Sequence, residues 1–182
     1  GTGVLKSAGD TFTLTGVKTG SVTTNLAGGT FAGMSALSDT SSTGNLKSSG
    51  DTYTLTGVGT GSVTTNLAGG TFAGMTTLSD TTSAGTLKSA GDTYTLTGVK
   101  TGSLGTNLAG TFAGMSALSD TSSTGNLVSS GDTYTLTGAN TGSVTTNLGG
   151  GTFAGMTTLS DAAGTGNLKA TGGDTWTLAG VK

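Results

Sequence analysis

Histidine, cysteine and proline are absent from this chain, and so are arginine, glutamate, glutamine and isoleucine. Without cysteine there is no disulfide framework and no thiolate metal site, and no trace of a redox compartment. Acid–base chemistry would fall to nine Asp, seven Lys and three Tyr, which recur with the repeat rather than converging in one place. A Ser/Lys nucleophile pair can be drawn at Lys6 and Ser7 and again at Lys47 and Ser48, but its repetition suits a solvated corner. No enzyme activity is expected. Charge is scarce as well: the net charge is −2 and the lysines are sparse, which excludes the clustered basic face that nucleic acid requires. No apolar run approaches the roughly 18 residues of a spanning helix, so no membrane insertion is expected.

What remains is thirteen residue types in one pattern written four and a half times. Phe12, Tyr53, Tyr94, Tyr134 and Trp176 share one register, spaced 41, 41, 40 and 42 residues apart, and Phe31, Phe72, Phe112 and Phe153 share a second. The chain divides into repeats at about 4–44, 45–85, 86–125 and 126–166, with a partial repeat at 167–182. Such a period marks a fold in which each unit buries its apolar face on the next. Gly/Ser/Thr richness would suit a solvated linker, but apolar residues at fixed spacing do not.

Thr52-Tyr53-Thr54-Leu55-Thr56 alternates strictly, which places Tyr53 and Leu55 on one face of a strand and three threonines on the other. Gly57 and Gly59-Thr60-Gly61 supply a turn, and Phe72, Met75 and Leu78 trace a strand bent at Gly74. Almost no helix is expected, because glycines interrupt the chain too often. Each repeat also divides into halves, Asn45–Thr65 and Asn66–Thr86, of about one solenoid coil each. The expected fold is therefore all-β: a parallel β-solenoid (β-helix) of about nine ~20-residue coils, ~43 Å long at ~4.8 Å per coil. A small β-propeller is the alternative. The two end segments disfavour it, because LKSAGDTFTLTGVK and LKATGGDTWTLAGVK duplicate one another and cannot complete one blade.

The expected core and assembly residues are Phe12, Leu14, Phe31, Met34, Tyr53, Leu55, Phe72, Met75, Tyr94, Leu96, Phe112, Met115, Tyr134, Leu136, Phe153, Met156, Trp176 and Leu178. Outward rows would be formed by Thr11, Thr13, Thr15, Thr52, Thr54, Thr56, Thr93, Thr95, Thr97, Thr133, Thr135 and Thr137. Such rows resemble the flat faces of ice-binding solenoids, although alanines at 32, 73, 113 and 154 would interrupt them, and threonine is simply a good β-former. Asn25, Asn45, Asn66, Asn107, Asn126, Asn147 and Asn167 fall at half-repeat junctions, where they would either stack as amide ladders or serve turns.

Aspartates form two columns. Asp10, Asp51, Asp92, Asp132 and Asp174 precede the aromatic strand, and Asp39, Asp80, Asp120 and Asp161 follow the Phe/Met strand. Two readings stay open: caps that accept backbone N–H bonds, or weak calcium sites, for which the first column supplies the candidates. No other cofactor is expected.

The strings TFAGMSALSD and TFAGMTTLSD, following GDTYTLTG and TGSVTTNL, resemble the β-strand repeats of bacterial surface proteins of the filamentous-haemagglutinin type. The resemblance covers the whole chain and implies a right-handed parallel β-helix, secretion, and a role in adhesion, fibres or matrix. The chain has no recognisable secretion domain or receptor-binding insertion. Neither end carries the atypical polar repeat that closes solenoids, so head-to-tail stacking of identical subunits into an open filament is expected. The functional expectation is a structural subunit of an extracellular bacterial fibre, cell surface or biofilm matrix, with itself as partner. An ice-binding or adhesive module using the threonine rows is the alternative.

Overall fold

The structure, a computed structural model, describes residues 2–172. Repeat one forms β1 (Gly3–Ser7), β2 (Thr11–Gly16), β3 (Thr19–Val22), β4 (Thr30–Ala32) and β5 (Met34–Asp39). Repeat two forms β6 (Gly44–Ser48), β7 (Thr52–Gly57), β8 (Thr60–Val63), β9 (Gly70–Ala73) and β10 (Met75–Asp80). Repeat three forms β11 (Gly85–Ser89), β12 (Thr93–Gly98), β13 (Thr101–Leu104), β14 (Thr111–Ala113) and β15 (Met115–Asp120). Repeat four forms β16 (Gly125–Ser129), β17 (Thr133–Gly138), β18 (Thr141–Val144), β19 (Thr152–Ala154) and β20 (Met156–Asp161), and β21 (Asn167–Ala170) follows. No helix occurs among the described residues, so none is long and apolar enough to cross a membrane.

The strands build two facing sheets of eleven and ten strands, a β-solenoid rather than a ring of blades. Within a repeat the chain makes three passes: a single strand, a three-stranded antiparallel meander in the opposite sheet, and a single strand back in the first. Three is odd, so each repeat starts on the sheet its predecessor did not. The meander β2–β4 therefore lies in one sheet and β7–β9 in the other, and orientation is restored only after two repeats. Successive passes pair in parallel, as β1 does with β5 and β5 with β9. The stack consequently has fewer turns than the nine ~20-residue coils expected, because the Thr-Phe-Ala segment is the third strand of a meander and not the start of its own coil. Eleven strands at ~4.8 Å give a rod of ~50 Å.

Inward residues stack along the axis in ladders. One runs Tyr53, Leu87, Leu118, Phe153 in paired register, and its counterpart in the other sheet runs Phe12, Leu46, Leu78, Phe112. Fully burying each such side chain contributes about 1.5–3 kcal/mol. Phe12, Leu14, Phe31, Tyr53, Leu55, Phe72, Met75, Tyr94, Leu96, Phe112, Met115, Tyr134, Phe153 and Met156 are buried, and Met34 and Leu136 are partly so. Trp176 and Leu178 lie outside the described residues.

The meander tolerates no side chain at its centre. Gly61 of β8 is paired with both Leu55 and Phe72. A Cβ there would lie 2.1 Å from the Thr54 carbonyl oxygen and 2.9 Å from Phe72 Cζ. The phenylalanine ring thus covers a bare backbone, which restores the burial that glycine lacks. Gly74, with φ +73°, makes the bend from β9 into β10, a conformation that L residues avoid. Gly102→Ala, whose Cβ would meet Thr95 O at 2.2 Å and Phe112 Cζ at 2.6 Å, is expected to destabilise the fold by ~1–3 kcal/mol, read as a lower denaturation midpoint in urea.

Candidate functional site: aspartate corners, threonine faces and repeat junctions

Asp10 stands where the chain leaves β1 for the opposite sheet. One carboxylate oxygen accepts the Thr24 N–H at 2.6 Å and the Asn25 N–H at 3.2 Å. The other accepts the Ser7 hydroxyl and, at 2.7 Å, the Asn25 side-chain amide. Asp51, Asp92 and Asp132 repeat the arrangement with Ser48, Ser89 and Ser129 and with Asn66, Asn107 and Asn147. Asp39, at the crossing from β5 to β6, accepts the Asp10 backbone N–H at 3.0 Å together with donors from Ser41 and Thr43. The same link joins Asp51 to Asp80, Asp92 to Asp120 and Asp132 to Asp161.

The two columns are therefore one system of corner clasps, in which N–H and O–H donors occupy the oxygens that a cation would need. Among the described residues no cluster of three or more acidic groups converges; Asp174 lies outside them. Four donors per carboxylate compensate for burying a charge. The Ser7 hydroxyl above all, then the Thr24 and Asn25 donors, outweigh the opposing effect of burial and hold the Asp10 carboxyl down at about 2. At Asp39, Asp80 and Asp120 burial alone would raise the value, but hydroxyls of Ser41, Thr82 and Ser122 and nearby backbone N–H groups bring it below 3.8.

The asparagines do not stack into amide ladders. Asn25, Asn66, Asn107 and Asn147 spend their side-chain N–H groups on the aspartate clasps, while Asn45 and Asn126 reach Thr11 and Thr93. Tyr53, Tyr94 and Tyr134 donate their hydroxyls to the carbonyls of Ser79, Ser119 and Ser160 at 2.6–2.7 Å. Burial, followed by the nearby aspartates, pushes these phenols up, Tyr134 to about 12 and the other two further.

The threonines face outward but divide between the two sheets. Thr11, Thr13, Thr15, Thr93, Thr95 and Thr97 lie on one, and Thr52, Thr54, Thr56, Thr133, Thr135 and Thr137 on the other. Across one face the row runs Thr30, Ser21, Thr13, Lys47, Ser79; across the other, Thr71, Ser62, Thr54, Lys88, Ser119. Lysine thus interrupts both rows. Strand alternation also separates Lys47, exposed, from Ser48, which is buried and donates to Asp51, so no Ser/Lys pair forms there.

Repeat junctions carry a contact that the sequence did not reveal. The N–H at each hairpin tip, Lys18, Gly59 or Lys100, donates to the carbonyl of Asn66, Asn107 or Asn147 in the following repeat, at 2.7, 3.0 and 2.7 Å. The next residue of each loop, Leu67, Leu108 or Leu148, is buried there, whereas Leu26 of the first repeat is 44% exposed. The signal for these leucines was their recurrence after the Thr-Asn pair of every repeat, and that for Leu37 and Leu46 was the alternation of their own short strands.

Aspartates whose folded values are depressed take up their protons later than the unfolded chain does. Their stabilisation is complete above the ordinary carboxylate range near pH ~4 and is lost as pH falls below it, for Asp10 through about 2. Tyrosines with raised values contribute fully below pH ~10 and lose that contribution above it. Circular dichroism melts are expected to give a stability plateau between pH ~4 and ~10 that falls at both ends. Asp51→Ala, which strips the acceptor from Ser48, Thr65 and Asn66, is expected to lower stability by ~3 kcal/mol in the same measurement.

No family model matches the chain, and no curated protein or solved structure shows significant similarity to it.

Proposed function

We propose that the chain is a structural unit of an extracellular bacterial fibre or surface matrix that assembles end to end with copies of itself. One observation carries this reading: every repeat meets the next through the same strand pairings and the same tip-to-loop hydrogen bond. The outermost strands among the described residues, β1 and β4 at one end and β20 and β21 at the other, have unused backbone edges, and such edges template the addition of further strands. A surface of threonine, serine and glycine with few charges suits a passive, load-bearing exterior, and the lysines that break both threonine rows favour this reading over a flat ice-binding face. The role is mechanical: hydrogen bonds run along the axis and the inward ladders supply cohesion.

Electron microscopy of the purified chain at low micromolar concentration, with and without a calcium chelator, tests the reading. The expected result is filaments in both conditions, with a ~4.8 Å layer spacing and a ~24 Å axial repeat, because two repeats add five strands to each sheet. Discrete particles at every concentration would overturn it.

A further inference from the structure

We infer that a second copy docks by strand exchange: β1 of the incoming copy replaces β21 on the edge of β17, while its β4 pairs with β20. This inference rests on the end-to-end reading above and names the surfaces that make the contact.

β1 and β21 are the same element. Gly3-Val4-Leu5-Lys6-Ser7 aligns with Gly166-Asn167-Leu168-Lys169-Ala170, identical at the glycine, leucine and lysine. β21 lies on β17 with Leu168 opposite Tyr134, as Leu87 lies opposite Tyr53 inside the stack. An incoming β1 would take that register with Leu5 opposite Tyr134 and Val4 opposite Thr133. β21 is also the weaker occupant. Leu168 is 48% exposed where Leu46, Leu87 and Leu127 are fully buried. Ala170 stands where Ser7, Ser48, Ser89 and Ser129 each clasp an aspartate, and it has no hydroxyl to offer.

In the other sheet no exchange is needed. Each Met-to-Asp strand inside the stack receives a Thr-Phe-Ala strand on its outer edge: β5 receives β9, β10 receives β14 and β15 receives β19. Among the described residues β20 is the one such strand whose outer edge is unpaired, and β4 is the one Thr-Phe-Ala strand not paired to a Met-to-Asp strand. Joining them sets Leu159 opposite Phe31 and Ser160 opposite Ala32.

The tip contact has matching leftovers. The Asn140 N–H is the tip donor of repeat four, and the Asn25 carbonyl is the loop acceptor of repeat one. Neither finds its counterpart among the described residues. The exposed Leu26 beside Asn25 would be covered by the docked tip as Leu67, Leu108 and Leu148 are inside the stack. Four repeats are an even number, so repeat one of the incoming copy arrives in the orientation a fifth repeat requires. Copies are then related by a rise of ~48 Å, ten strands, with each sheet continuing into the same sheet of the next copy.

The absence of native cysteine makes the exchange accessible to engineered disulfides, since directly paired strand residues fall within the ~4.4–6.8 Å Cα range. Chains carrying Val4→Cys and Thr133→Cys are expected to oxidise, within filaments, into a ladder of covalent multimers on a non-reducing gel. Chains carrying Asn167→Cys and Thr133→Cys, closed within one molecule, are expected to lose filament growth and to regain it on reduction. Leu26→Asp, at an exposed site, is expected to keep the wild-type circular dichroism melt and to form no filaments. A locked chain that elongates like wild type, filaments without intermolecular crosslinks, or a Leu26→Asp chain that polymerises normally would each overturn strand exchange while leaving end-to-end assembly standing. A wild-type chain that forms no filaments would remove both.

Discussion

Each passage of the chain from one sheet to the other must satisfy backbone N–H groups at a corner that neighbouring repeats bury, and two devices recur for it. An aspartate carboxylate gathers the donors at two of the three crossings in a repeat, as Asp10 and Asp39 do. A positive-φ glycine, Gly33 in the first repeat, makes the other. Leaving such donors unpaired would cost about 1–3 kcal/mol each, so the corners decide whether the sheets can face each other at all. Among the described residues no buried side-chain N or O atom is left without a partner. A carboxylate suits this task better than a neutral amide because it accepts several bonds at once and binds each donor more strongly.

With the corners held, the interior follows from two periodicities. Alternation within strands sends leucine and aromatic side chains inward, with a strand-end serine such as Ser48 beside them, and Thr, Asn and Lys outward. The repeat then brings inward positions of different strands into one ladder, as in Tyr53, Leu87, Leu118 and Phe153, and like positions return to the same sheet after two repeats. Odd crossings per repeat require that consecutive repeats present their meanders on opposite faces, which shares the bulky Phe/Tyr load between two sheets instead of crowding one. The phenylalanine over each meander glycine completes the fill: the ring of Phe72 occupies the space that a side chain at Gly61 would need.

The repeat, the strand over Thr52–Gly57, the turn at its end and the bend at Gly74 were legible because each is a local property: alternation, glycine punctuation, a recurring string. The fate of Thr-Phe-Ala was not. Whether Phe72 opens a new coil or closes a meander depends on whether Thr71 pairs antiparallel with Ser62, a nonlocal choice with no composition signal, and the coil count inherited that ambiguity. The aspartate columns were visible as columns, and some of their donors are local, such as Ser7 and Ser41, but the others lie about 14 and 29 residues away in sequence, so the full clasp could be read only from the fold. The asparagines fell to the same competition, since a nearby carboxylate is a stronger acceptor than a stacked amide.

In a one-dimensional stack each repeat touches only its neighbours, so stability is the sum of repeat and junction contributions. Among the described residues, Leu26 and Leu168 are exposed where their equivalents inside the stack are buried, so each is a side chain that one more junction would cover. Burying an exposed leucine gains about 1.5–3 kcal/mol per side chain, and pairing a free strand edge adds hydrogen bonds whose geometry the interior already contains. Association must also overcome lost translational and rotational freedom, about 4–15 kcal/mol, which no single leucine offsets. Two sheet edges, a tip hydrogen bond and two leucines engaged together are the scale of contact required. A junction is therefore an all-or-none event, and the same physics that makes the fold cooperative along its length would make growth at its ends cooperative too.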